Sequence, residues 1–296
     1  MIMNKLKESK SLPVFILILL ALIWGSSFIL IKRGLDSFTA VQVGTIRVSF
    51  AFLVMLPIAV KYLRTVYKYN WKKILTLGFV ANLMPAILFA AAETGLSSSL
   101  AGILNSLSPI FTIIIGTLFF KVPMNNKQIG GLVIGLAGSI ALSFIGSGGQ
   151  LGSFNFYALF VILATLFYGI SGNMVKAYFS NISSVTLTSL AMFSIGPFGI
   201  MYLLTTDFVY KLQTLDGAWA SLGYLFILGA VGTAFALVLF NKLIQITSAV
   251  FASTVTYLIP IAAVIWGIID GESLFLLHFA GMALIIAGVY LVNKNK

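Results

Sequence analysis

The chain has 296 residues, of which 60% are hydrophobic and only 8% charged, and it carries a formal net charge of +11. A soluble domain of this size needs more charge to solvate its surface, and a nucleic-acid binder gathers its basic residues on a face, whereas here they sit in short loops between apolar runs. No cysteine is present and His278 is the only histidine, which leaves no disulfide, no thiolate site and no histidine cluster, so neither a metal nor another cofactor is expected.

A helix that crosses a bilayer needs about 20 apolar residues. The first ten residues, MIMNKLKESK, and the run behind them have the outline of a signal peptide. That run, 13–31, is longer than a signal core, and we read it as the first of ten spans. The others are 40–60, 74–92, 98–120, 129–146, 156–175, 185–204, 219–240, 247–269 and 274–292. In span 1, Trp24 and Ser27 stand one turn apart. Arg47, in span 2, is the one charge well inside an apolar run. Gly78, Asn82 and Pro85 form a stripe on span 3. Ser98, Gly102, Asn105 and Pro109 share one face of span 4, and Gly131 and Gly135 make a G-x-x-x-G pair on span 5. The Gly- and Ser-rich stretch that follows reads as a linker at 147–155, between one unit at 1–146 and another at 156–296. Tyr168, Ser171 and Asn173 lie on span 6, and Gly229 and Thr233 on span 8. Ala249, Ser253, Thr256, Tyr257 and Pro260 lie on span 9, and Ala283 and Ala287 on span 10.

The second unit repeats the first. A shift of 151 residues carries Pro109 onto Pro260, Gly116 onto Gly267, Gly78 onto Gly229 and Asn82 onto Thr233. After one residue of slip, Gly131 and Gly138 fall on Gly281 and Gly288, and a shift of 144 carries Trp24, Gly25, Ser27 and Lys32 onto Tyr168, Gly169, Ser171 and Lys176. With both termini inside, fourteen Lys and Arg fall inside and three outside, namely Lys32, Arg33 and Lys211. Five spans per unit is an odd number, so the second unit enters the membrane from the opposite face. The expected fold is therefore all-α and integral to the membrane, with ten transmembrane helices as two inverted-topology five-helix repeats. In this arrangement, swapping the conformations of the halves opens a central cavity to alternate sides.

Trp24-Gly25-Ser26-Ser27, Arg47, the Ser-Ala runs before spans 4 and 9, the Pro109 and Pro260 helices, and Gly271-Glu272 before AGMALIIAGV resemble the EamA-type family of the drug/metabolite transporter superfamily. The resemblance covers nearly the whole chain. It departs at Lys121-Val122-Pro123, where the first unit lacks the family's Gly-Glu. It implies a secondary transporter in the bacterial cytoplasmic membrane, with helices 1, 3, 4, 6, 8 and 9 around a central cavity.

Proline frees the carbonyl four residues before it, here those of Asn105 and Thr256, and a free carbonyl in hydrocarbon is costly. The expectation is that the Pro109 and Pro260 faces meet at the cavity with these carbonyls turned to it. A kink satisfied by neighbouring helices is the alternative. Trp24, Ser27, Asn82, Asn105, Tyr168, Asn173, Thr256 and Tyr257 would then line a substrate pocket of aromatic faces with a few amides and hydroxyls. The same polar groups could instead glue helices together. Arg47 could hold a substrate carboxylate. Its place on span 2, outside the cavity set, favours tying down helix ends, so Arg47, Pro109 and Pro260 are assigned structural or gating roles. The small-residue pairs on spans 5 and 10 are read as packing inside the bundle, with a homodimer as the other use. No acid lies mid-span, so nothing supports a proton relay.

These features favour a transporter, more specifically an exporter, of small organic metabolites such as amino acids. The partners are a small-molecule substrate and the lipid bilayer, with no nucleic acid. An intramembrane lipid-modifying enzyme would need an acid–base or metal constellation, and a membrane scaffold would need larger loops.

Overall fold

The computed structural model describes residues 11–122, 126–143 and 155–293. The expected linker, apart from Asn155, lies outside the described residues, as do Pro123 and the lysines at both termini. Every regular element among the described residues is helical.

Helix α1 is Ser11–Leu35, and α2 is Ala40–Tyr62. Thr39 starts α2 with a capping box: its hydroxyl accepts from the Gln42 N–H, and the Gln42 amide oxygen accepts from the Thr39 N–H. Helix α3 runs through Lys68–Gly78, a π turn at Phe79–Leu83, and Met84–Glu93. Helix α4 spans Ser98–Phe120, and α5 is Asn126–Ser143. In the second half, α6 is Ala158–Tyr178 and α7 is Ser184–Leu204, followed by a short helix at Phe208–Thr214. Helix α8 spans Ala218–Ile246 and α9 spans Ala249–Ile269, and α10 is Leu276–Asn293.

Among the described residues, seven helices are long and apolar enough to cross a membrane. One of these is Ala40–Glu93, 54 residues long. Drawn straight, it would reach about 80 Å, against a hydrocarbon core of about 30 Å. It is not straight. A π turn at Leu63–Tyr67 makes a corner, with Arg64 inside it and Lys61 and Lys68 on either side. Helix α2 then lies against the end of α3 so closely that a Cβ on Gly44 would fall 2.8 Å from the Ile87 backbone nitrogen.

Helices α4 and α9 share one broken design. Ser97 and Ser248 cap their starts by accepting from the N–H groups of Leu100 and Phe251. A short first helix ends in a 3₁₀ turn, at Asn105–Leu107 in one and Thr254–Tyr257 in the other. A second helix then begins with Pro109 or Pro260 in its first turn, where a missing N–H costs nothing.

The strongest packing joins one half to the other. Helix α1 packs on α8 and α9, and α6 on α3 and α4, while α2 packs on α7, α4 on α9, and α5 on α10. The like-with-like pairs run antiparallel. In the α5–α10 pair, Gly138 faces Gly281 and Gly131 faces Gly288, so the residue numbers rise on one helix as they fall on the other. The same order holds in the α2–α7 pair, where Phe52 meets Gly196 and Ser49 meets Gly199. Gly131 and Gly135 are buried in this packing, whereas Ala283 and Ala287 are exposed. Placing the latter pair inside the bundle is therefore corrected: α10 turns Gly281 and Gly288 inward, and its two alanines fall on the other face.

Candidate functional site

A cavity lies between the halves. Its walls come from α1, α2, α3, α4, α6, α7, α8 and the start of α9. Two π turns shape it. Phe79–Leu83 on α3 and Ala230–Phe235 on α8 occupy equivalent places, since a shift of 151 carries 79 onto 230. A π turn adds a residue to the helical circuit and widens it, a feature common at functional sites. These two turns carry Asn82 and Thr233 into the cavity wall. Trp24 reaches across from α1 and donates its indole N–H to the Gly232 carbonyl at 3.0 Å.

Of the residues singled out in the sequence, Trp24, Ser27, Asn82, Asn105, Tyr168 and Thr256 line this cavity. Trp24 meets Phe240 edge-on, with ring centroids 5.0 Å apart, and Tyr168 stacks on Phe89 at 5.9 Å. Arg47 lines the cavity as well. Its expected place outside the cavity set is corrected. Helix α2 comes so near α8 that a Cβ on Gly229 would lie 2.7 Å from the Arg47 carbonyl. At that range the Arg47 Nε donates to Thr233 Oγ1 at 2.6 Å.

Two of the eight residues expected to line the substrate pocket are not brought to the cavity wall. Asn173 is buried and donates its amide to the Thr112 and Gly169 carbonyls, both at 2.8 Å, tying α6 to α4. Tyr257 packs against the main hydrophobic core. Pro109 and Pro260 are buried at the starts of their second helices and are not among the lining residues. The freed carbonyls also differ from expectation, because protein hydroxyls satisfy them. Ser108 Oγ donates to the Asn105 carbonyl at 2.8 Å, and Ser106 Oγ donates across the halves to the Thr256 carbonyl at 2.9 Å. Side chains rather than carbonyls of the broken helices therefore present polarity to the cavity.

Sequence reasoning missed Thr188 and Asn241, which line the cavity and are joined by a 3.0 Å bond from the Asn241 amide to the Thr188 hydroxyl. A signal existed. Thr233, Leu237, Phe240, Asn241 and Ile244 follow helical spacing along one face of α8, and that face is the cavity wall.

Equivalent lysines stand at opposite ends of the site. Lys32 pairs with Asp270 and Glu272 in the α9–α10 turn, and Arg33 also pairs with Asp270. Glu272 accepts the Ser98 and Ser99 N–H groups at 2.9 and 3.0 Å, so one carboxylate joins the start of α4 to α1. The hydrogen bond from Lys32 holds the Asp270 carboxyl below its ordinary value. Burial pushes Glu272 upward, but the bonds from Ser99, Ser98 and Lys32 outweigh it and leave the group below its ordinary value. Lys176 meets no acid among the described residues. Its ammonium donates to the carbonyls of Ile244, Gln245 and Thr247 at 3.3, 3.2 and 2.7 Å, closing the end of α8.

The model of the EamA-like transporter family matches the chain twice, over residues 11–144 and 155–294. An uncharacterized transporter of Archaeoglobus fulgidus is 24% identical over 283 residues, covering 95% of this chain and 98% of that protein. The uncharacterized inner membrane transporter YedA of Escherichia coli K12 is 25% identical over 295 residues, covering 96% and 92%. A probable amino-acid metabolite efflux pump of the same organism is 24% identical over 286 residues, covering 93% and 92%. A solved crystal structure superposes with a TM-score of 0.68 at 12% identity, covering 97% of this chain and 98% of the other, which shows a shared fold. Two repeats of one family model, apolar helices long enough to span a bilayer, and a cavity walled by both halves make this a membrane protein that handles a small-molecule substrate, and the chain belongs to the EamA-like transporter family.

Proposed function

We propose that the protein is a secondary transporter, working as an exporter of small organic metabolites such as amino acids or their derivatives. It crosses the membrane ten times as two inverted five-helix repeats, in units 1–146 and 156–296, with both termini cytoplasmic. Trp24, Ser27, Asn82, Asn105, Tyr168 and Thr256 form the substrate site, and alternating access exposes it to each side in turn.

One observation carries this reading: close contacts come in reciprocal pairs across the two halves. A Cβ on Gly78 of α3 would lie 2.9 Å from the Ala191 carbonyl of α7, and one on Gly229 of α8 would lie 2.7 Å from the Arg47 carbonyl of α2. The same shifts, 151 for 78 to 229 and 144 for 47 to 191, exchange these two contacts. Gly25 against Ala262 and Gly169 against Phe111 exchange in the same way. Equivalent helices that meet antiparallel, as α5 and α10 do, are related by an axis across the helices rather than along them. That geometry supports reading the two halves as inverted repeats. The export direction and amino-acid class are supported by the names of relatives at about 24% identity.

The test compares metabolites released by cells with and without the protein. Asn105→Leu and Thr256→Leu, each filling the cavity wall, are expected to reduce flux at least tenfold with the protein still in the membrane. Unchanged flux in both variants removes the site assignment.

A further inference from the structure

We infer that Arg47 anchors the carboxylate of the cargo, and that the site recognises a small apolar or aromatic monocarboxylate whose amino group is dispensable. This rests on reading the cavity as a transport site, and it names what that site binds.

Arg47 is 9% exposed. A guanidinium has five N–H donors in a planar fork and stays charged in proteins. Here the one hydrogen bond it makes among the described residues runs from Nε to Thr233 Oγ1, and that hydroxyl is neutral and itself donates to the Leu228 carbonyl at 3.0 Å. No ion pair reaches Arg47 among the described residues. The other described acids pair with lysines or stand beyond ion-pair distance. Asp270 and Glu272 pair with Lys32, and Asp207 with Lys211. Glu93 Oε2 accepts from Ser98 Oγ at 3.0 Å, its Oε1 is buried without a hydrogen-bond partner among the described residues, and its charge reaches Arg47 only from beyond ion-pair distance. A buried charge without a counter-ion is strongly destabilising, so such residues in membrane helices face a cavity and mark ligand paths. Arg47 does face the cavity, and the remaining arms of its fork suit a carboxylate, which accepts two parallel N–H bonds.

The other wall chemistry sets the rest of the class. Among the described residues no Asp or Glu lines the cavity, so an ammonium group meets no carboxylate at its wall. The acceptors there are the neutral oxygens of amides and hydroxyls, such as Asn82, Asn105, Ser171 and Ser253. Trp24, Phe28, Phe89, Tyr168 and Phe240 supply aromatic faces for an apolar body. The carboxylate end is therefore read by charge, the body by area, and the amine by nothing charged.

The experiment measures binding of three probes with one body to the purified full-length protein in nanodiscs, by thermal shift and by Trp fluorescence. The probes are 3-phenylpropionate, L-phenylalanine and phenethylamine. The expected order places 3-phenylpropionate at or above phenylalanine, with phenethylamine at least tenfold weaker. Arg47→Gln is expected to lose at least tenfold in 3-phenylpropionate affinity, and Arg47→Lys to recover part of it. The wild-type ranking needs no variant, so it stands even where Arg47→Gln folds poorly. Phenethylamine binding as well as 3-phenylpropionate, binding by none of the three, or unchanged 3-phenylpropionate affinity in a folded Arg47→Gln overturns the inference. Arg47-dependent binding without any export difference between cells would sink the transport reading and leave the anchor standing. An export difference together with Arg47-independent binding does the reverse.

Discussion

The two ends of the cavity are built from equivalent residues and held by different physics. At one end Lys32 meets Asp270 and Glu272, and Glu272 also takes two N–H groups at the start of α4. At the other, Lys176 meets three main-chain carbonyls at the end of α8. The cause is one turn. The second half places Gly271-Glu272 there, and the first half places Lys121-Val122. Their settings match: Glu272 lies against Gly267 and Val122 against Gly116, and the two glycines are 151 residues apart. Where the acid is present, the lysine and a helix start are drawn to it. Where it is absent, the lysine falls back on the partial negative charge of a helix end. A duplicated transporter can thus carry unequal latches on a nearly symmetric frame.

The largest effect should come from Glu272→Ala. It strands the N–H groups of Ser98 and Ser99 and leaves Lys32 with Asp270 alone, and the expected loss is about 2–3 kcal/mol, read as a fall in thermal midpoint. Lys176→Ala, which removes a cation from a helix end, should cost about 1 kcal/mol or less. Equal losses in the two variants would erase the distinction between the ends. Val122→Glu sharpens it from the other side by supplying the missing carboxylate near Lys176. A gain of about 0.5–1 kcal/mol is expected, together with slower labelling of a cysteine introduced at that end. The chain has no cysteine of its own, so such labelling has no background. No gain in either readout would show that the two turns are not interchangeable.

The smallest effect is that of pH. Asp270 and Glu272 are both held below their ordinary values of 3.8 and 4.5. A depressed carboxyl contributes stability that is present above the unfolded value and is lost as pH falls through the folded one. The Lys32 latch should therefore hold from pH 7 to 5 and weaken below about pH 4, while the Lys176 latch, built on main-chain carbonyls, stays unchanged. Thermal midpoints of wild type and Glu272→Ala should converge as the pH drops through that window.

Much of this was legible in the chain. Apolar runs of spanning length, their duplication and the family follow from local composition and order. So does the polarity of Trp24, Ser27, Asn82, Asn105, Tyr168 and Thr256, because each lies on a helical stripe with a counterpart or near-counterpart in the other half. What was not legible depends on distance in space. Arg47 reaches the cavity because Gly229 lets α8 approach α2, a relation between residues 182 positions apart. Asn173 looked like a cavity amide, and its amide is instead spent on two carbonyls of α4 and α6. The carbonyls freed by Pro109 and Pro260 are answered by Ser108, three residues after Asn105, and by Ser106, which belongs to the opposite half from Thr256. The first of those answers was within reach of the sequence and the second was not.

The glycine crossing of α5 and α10 has a consequence for how the molecule can be divided. At its glycines each helix lets the main chain of its mate come close, and a methyl group on Gly138 would press within 3.0 Å of the Gly281 carbonyl and the Leu284 Cβ. A half produced alone would show lipid a bare groove of peptide groups that only the other half can fill. The halves are therefore obligate mates, and any substitution that thickens one helix at this crossing must be answered by a thinning of the other.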